Sequence, residues 1–137
     1  MRIALTEAEI AYKEGEIPVG AVIVIENEII AKDHNRVEQL NDPTAHAEML
    51  CLTAATSYLG SKYLRQATLY VTLEPCPMCA GALLWAQIRE IVYAAPDPKL
   101  GLSKYTPSLL HPKTILRQGP FQVEASTLLK RFFHERR

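Results

Sequence analysis

Residues 67–95 read ATLYVTLEPCPMCAGALLWAQIREIVYAA. The first seven are rich in β-branched and aromatic side chains and form a strand, which Glu74-Pro75 closes. A helix opens on Cys76 and runs through Ile88, and "EIVYAA", residues 90–95, returns as another short buried strand. Strand, helix and strand within about 30 residues describe a parallel crossover unit, the building block of α/β sheets.

The flanking chain extends that unit on both sides. Leu5, Ala8, Ile10, Ala11 and Tyr12 recur at helical spacing and Gly15 follows as a stop, so residues 2–14 form an amphipathic helix. "PVGAVIVI" (18–25) and "IIAKDHN" (29–35) are strands joined by the turn "ENE", a hairpin. Asp42-Pro43-Thr44 starts a helix that ends near Gly60, with Pro43 in the first turn and Asp42 or Thr44 capping. Beyond residue 95, a Pro- and Gly-punctuated loop spans 96–113, "TILRQ" (114–118) is a short fifth strand, and residues 122–137 form a last helix. The order implies one mixed five-stranded sheet covered on both faces, a three-layer α/β/α domain occupying residues 1–137.

Composition narrows the class. Across 137 residues, 48% hydrophobic and 22% charged content is ordinary for a folded globular chain and excludes disorder. No apolar run approaches the ~20 residues of a membrane span. The opening "MRIALTEAEIAYKEGE" carries acids too early for a signal peptide, so a cytoplasmic location is expected. Three cysteines, two of them in "CPMC", favour metal or thiol chemistry over a disulfide framework. Net charge is zero but unevenly spread: 7 Lys/Arg face 12 Asp/Glu in residues 1–96, against 8 and 3 in residues 97–137. A basic C-terminal part offers either a polyanion-facing edge or a solvated face.

Cys76 and Cys79 stand two residues apart at a helix start, where the helix dipole favours thiolates. Alone they fit a redox pair as well as a metal site. His46, near the start of the preceding helix, changes the balance, because two helix starts following neighbouring parallel-type strands face each other at one end of a sheet. One imidazole and two thiolates suit Zn²⁺ in a catalytic site with water in the fourth position. Glu48, two residues beyond His46, diverges from it on a helix, so it can stand beside that water as a general base without ligating. Cys51 has apolar neighbours and reads as a core residue. His34, His111 and His134 lie outside ligand-like spacing. In "KRFFHERR", Phe132 and Phe133 read as core anchors, while Lys130, Arg131, Arg136 and Arg137 are available to phosphates.

"HAE" (46–48) with "EPCPMC" (74–79) matches the H-x-E…P-C-x-x-C signature of the zinc nucleobase deaminases, whose cytidine deaminase-like fold is the three-layer sheet already inferred. More finely, "EIPVGAVIV", "HNRV", "NDPTAHAEM", "ATLYVTLEPCPMCAGAL", "DPKLG", "LLHP" and "LLKRFFHERR" resemble the bacterial tRNA-specific adenosine deaminases over nearly the whole chain. The resemblance implies hydrolytic deamination of adenosine to inosine at the wobble position of a tRNA anticodon stem-loop. It implies one zinc per subunit on His46, Cys76 and Cys79, with Glu48 moving protons. It also implies that Asn35 hydrogen-bonds the base, that the Ala47 backbone reads the base edge, and that Pro18, Val19 and Gly20 line the pocket. Asp97 and Lys99 are expected to approach the RNA, and the enzyme to be a homodimer. Pro96 departs from the basic residue common in that family, and Pro77 from an aliphatic one. "EPCPMC" and "YAA" occur also in guanine deaminases, so deamination of free guanine or cytosine is the alternative, and a non-catalytic zinc module is a third reading that leaves Glu48 without a use.

Overall fold

A computed structural model describes residues 1–136. Its elements are α1 (Arg2–Lys13), β1 (Gly20–Ile25), β2 (Glu28–His34), α2 (Val37–Leu40), α3 (Ala47–Leu59), β3 (Thr68–Leu73), α4 (Pro77–Ala86), β4 (Glu90–Ala95), β5 (Ile115–Gln118) and α5 (Gln122–Glu135). The five strands lie in the order β2-β1-β3-β4-β5. β1 pairs antiparallel with β2 and β3, whereas β3, β4 and β5 run parallel, the mixed sheet expected from the sequence. Glu26 and Asn27 both adopt positive φ, 50° and 65°, which matches the hairpin turn to the right-handed twist of its strands.

Strand alternation sorts the core into two layers. Ala21, Ile23, Leu69, Val71 and Ile91 point to the face covered by α3 and α4, where they pack with Cys51, Ala55, Ala80 and Leu83. On the other face Leu5 of α1 and Ala125 of α5 pack with Ala94. Because β1 is antiparallel to both its neighbours, β2 and β3 run the same way. With β4, all three deliver their carboxyl ends to one edge of the sheet, beside the start of β1: Gly20 is paired with His34 and Ala21 with Val71.

Three local expectations change. The helix expected from Asp42 begins only at Ala47. Asp42 Oδ1 accepts bonds from both the N–H and the Oγ1 of Thr44 at 2.8 Å, closing a turn instead of a helix. The one-turn α2 was not anticipated: the buried Glu16 carboxylate caps it, accepting the N–H groups of Glu38 (3.0 Å) and Gln39 (2.8 Å) from 22 and 23 residues away in sequence. α4 stops at Ala86, short of Ile88, because Gln87 turns left-handed at φ 54°. Among the described residues no helix is long and apolar enough to cross a membrane.

α1 lies directly on the start of β1. A Cβ on Gly20 would overlap the Ala4 carbonyl oxygen and the Ala8 nitrogen, both rigid backbone atoms. Gly20→Ala is therefore expected to lower unfolding free energy by at least about 2 kcal/mol in urea titration, since helix and strand must separate to admit one methyl group.

Candidate active site and metal centre

Two helix N-termini converge at that sheet edge. His46 is the N-cap residue of α3, in extended conformation at φ −75° and ψ 152°. Cys76 is the N-cap of α4, at φ −76° and ψ 170°, and Cys79 follows one turn in. Pro77 occupies the first helical position, where a missing N–H costs nothing because no carbonyl precedes it in the helix. The helices follow β2 and β3, which are not neighbours as the spacing implied: β1 separates them, and their shared direction still aims both helix starts at one point.

His46 Nδ1 lies 3.7 Å from Cys76 Sγ and 3.6 Å from Cys79 Sγ, with the three ligand atoms all within 4.8 Å of one another. Tetrahedral zinc with Zn–S near 2.3 Å and Zn–N near 2.0–2.1 Å separates nitrogen and sulfur by about 3.6 Å, so this donor set fits zinc without rearrangement. The electrostatics agree. Hydrogen bonding from the Cys79 thiol holds Cys76 down at about 4, so Cys76 is a thiolate at neutral pH. Cys79 is pushed well above the usual thiol range, first by that same bond to Cys76 and then by burial. The bond to Cys76 raises His46 above the ordinary imidazole value.

Glu48 sits beside this group, 4% exposed, and desolvation lifts its carboxyl to about 7. Glu48 and His46 form the floor of a cleft of about 1050 Å³, which also receives Cys76. Asn35 and Val19 stand on one side and Pro96 to Leu100 on another, and the cleft runs out along α5 past Lys130, Phe133 and Arg136.

The sequence-derived residues distribute unevenly around it. Asn35 lines the cleft, and its Oδ1 accepts the Ala47 N–H at 2.8 Å. That donor fixes the amide orientation and leaves Nδ2 as the group turned elsewhere. Ala47 is fully buried and does not line the cleft, and its N–H is committed to Asn35. Of Pro18, Val19 and Gly20, only Val19 lines the cleft: Pro18 is core, and Gly20 packs on α1. Asp97 and Lys99 both line it, and Asp97 Oδ1 caps the N–H groups of Lys99 and Leu100 at 3.0 Å. Lys130 and Arg136 reach it, whereas Arg131 lies over the Tyr12 ring, 5.3 Å from its centroid. Arg137 lies outside the described residues. Phe132 is the buried anchor, but Phe133 is 48% exposed and lines the cleft. Cys51 is buried, donates to the Ala21 carbonyl, and is raised by burial to an inert thiol.

Sequence patterning missed three groups. Glu16 and Glu74 are buried acids on the cleft wall, and each binds backbone N–H groups more than 20 residues away. His34 is no isolated polar residue: its ring nitrogens bond Glu7 and Glu14 at 2.8 Å each, tying α1 to β2.

Fold and site together define a zinc-binding deaminase. The profile described as the cytidine and deoxycytidylate deaminase zinc-binding region matches residues 1–95, and the chain belongs to that family of hydrolytic deaminases. Within it the chain is similar to the tRNA-specific adenosine deaminase of Aquifex aeolicus, at 45% identity over 141 residues that span 100% of this chain and 93% of the relative. It is also similar to the solved structure of a tRNA:A34 deaminase that carries out A-to-I editing at the wobble position of transfer RNA: 42% identity, TM-score 0.79, covering 85% of this chain and 95% of that one. A guanine deaminase structure from Bacillus subtilis matches at 35% identity and TM-score 0.67, covering 98% of this chain and 90% of that one.

The state of the ligands sets a pH dependence. Cys76 is already a thiolate, Cys79 must lose a proton to ligate, and at lower pH protonated His46 must lose one too. Zinc affinity of the metal-free protein should therefore rise with pH, by about tenfold per unit above the raised range of His46 and by up to about a hundredfold per unit below it, with matching proton release in calorimetry. Cys79→Ser should abolish stoichiometric zinc uptake.

Proposed function

We propose that the chain, as a single domain over residues 1–137, deaminates adenosine to inosine at the wobble position of a tRNA anticodon stem-loop in the cytoplasm. His46, Cys76 and Cys79 would hold one zinc per subunit, and that ion would supply a water of lowered pKa as the nucleophile. Glu48 takes a proton from the attacking water and delivers it to the ring nitrogen beside C6 of adenine. It then carries the second proton to the exocyclic nitrogen, which leaves as ammonia. A carboxyl near 7 in the buried site suits both the acceptance and the return. Asn35, with Oδ1 held by Ala47, offers Nδ2 to an acceptor on the base edge. Asp97 and Lys99 border the strand on either side of the flipped nucleotide, and Lys130 and Arg136 meet phosphates further out.

The observation that carries this reading is the reach of the cleft. At about 1050 Å³ it stands at the upper end of small-ligand pockets, and one continuous lining joins His46, Glu48 and Cys76 to Lys130, Phe133 and Arg136 of α5. A free base needs only the inner end, whereas an extruded nucleotide brings its flanking strand with it. The similarity to tRNA deaminases over most of both chains supports the same choice. The similarity to a guanine deaminase favours a second reading, in which the inner end serves alone. Mass spectrometry decides between them. Inosine in an anticodon stem-loop supports the first, while ammonia from free guanine with an untouched stem-loop supports the second. Glu48→Ala should keep its zinc and lose about 10²–10⁴-fold in rate, the range of one acid–base group.

The homodimer rests on α4. Its ten residues, PMCAGALLWA, carry no charge, and an apolar helix needs cover all round. Cys79, Ala80 and Leu83 face the core, but Met78 is 36% and Trp85 80% exposed, and a Cβ on Gly81 would meet open space. Positions 78, 81, 82 and 85 share one face, so a second copy can close on it. Trp85→Glu is expected to yield a monomer in analytical ultracentrifugation while zinc content is unchanged.

A further inference from the structure

Glu74 stands between the last residue of β3 and Pro75-Cys76, and it is 3% exposed. Its carboxyl group collects three donors from a segment over 20 residues downstream. Oε1 accepts the Asp97 N–H at 3.0 Å, and Oε2 accepts both the N–H of Ser103, at 2.8 Å, and its hydroxyl. The adjoining backbone continues the seam: Leu102 N–H donates to the Pro75 carbonyl at 3.0 Å, and Glu74 N–H donates to the Ala95 carbonyl at 2.8 Å. Gly101 is hemmed in at the same place, since a Cβ there would overlap both the Glu74 carboxyl group and the Asp97 carbonyl oxygen. The segment so held begins with the cleft wall, Asp97 to Leu100.

We infer that Glu74 is a positioning residue that presets the 97–103 segment as the substrate-facing wall of the cleft, joining that wall to the backbone that carries the metal-ligating Cys76. The inference rests on the deaminase reading above and goes beyond it, because that reading gives Glu74 no task. The physical reason lies in the count of acceptors. Two backbone N–H groups and a hydroxyl converge on one buried group, and a carboxylate with two acceptor oxygens serves all three. An amide offers one acceptor oxygen and sets an NH₂ against an N–H. Donors left unsatisfied in a buried place are costly, so without the carboxylate the segment gives up its position in order to reach water. A wall already ordered before substrate arrives removes that ordering from the cost of binding. Its loss should therefore weaken binding of the strand more than it slows the reaction at the metal end.

The test compares zinc-loaded wild type with Glu74→Gln and Ser103→Ala, the latter removing one donor to the carboxylate while leaving Glu74 in place. Three quantities are read: amide hydrogen exchange at Asp97 and Ser103, zinc stoichiometry, and kcat and KM on an anticodon stem-loop. In both variants exchange at Asp97 and Ser103 should accelerate at least tenfold, zinc should remain stoichiometric, and KM should rise about tenfold while kcat falls less than threefold. Unchanged exchange at both amides would overturn the inference, and so would loss of zinc with a fallen kcat at constant KM, because Glu74 would then serve the metal segment alone. If Glu74→Gln fails to fold, Ser103→Ala carries the same comparison. A wild type inactive on every RNA would overturn the tRNA reading, and the exchange rates would still decide the role of Glu74.

Discussion

Strand direction is the constraint on which the rest depends. β1 runs antiparallel to both β2 and β3, so those two strands point the same way although they never touch. Helices launched after them start at the same sheet edge, with His46 and Cys76 each at an N-cap. Reversing either strand would carry one of these residues across the length of the sheet. The sub-4 Å approach of the imidazole and the two cysteine sulfurs is thus a consequence of topology before it is one of side-chain chemistry.

N-cap placement then does two things at once. It leaves the side chain outside the helical cylinder, free to turn toward a shared point, and it sets thiolate charge against unsatisfied backbone N–H groups. Cys76 is a thiolate at neutral pH for a further reason, the proton offered by Cys79. The burial that lifts Glu48 to about 7 arises at the same helix start, as its second residue turns inward beneath the cleft. A hard buried acid beside a soft donor set is chemically suited to divide the work proposed above, a carboxyl for protons and nitrogen and sulfur for a metal.

The walls of the cleft follow a different logic. Neither α2 nor the 97–103 segment has the length or pattern to hold its own conformation, and each is secured by a buried glutamate from elsewhere in the chain. Glu16 caps α2 near Asn35, and Glu74 gathers the opposite wall. Charged groups are seldom buried without partners, and in both cases the partners are backbone N–H groups that would otherwise be orphaned. Irregular backbone at a site is tolerated here because these two acids complete its hydrogen bonding.

How much of this was written locally can be followed residue by residue. The alternation in "GAVIVI" and "TLYVTL", the helical spacing after Cys76 and the hairpin turn at Glu26-Asn27 depend on neighbours in sequence, so the strands, most helices and the layer order were legible. His46, Cys76 and Cys79, which the structure brings together, and Glu48 beside them could be singled out as candidates from the H-x-E and P-C-x-x-C spacings. The true start of α3, the one-turn α2, the commitment of Ala47 N–H to Asn35, the absence of Pro18 and Gly20 from the cleft lining, and the cleft position of Phe133 were not legible. The late start of α3 follows from the local Asp42–Thr44 turn, and the others are settled by partners elsewhere in the chain, such as the capping carboxylate of Glu16. Sequence by itself determined the elements and the donor set, since those rest on local periodicity and side-chain chemistry. Tertiary structure alone decided which surfaces became the cleft, because hydrogen bonds and packing between distant segments leave no pattern in either one.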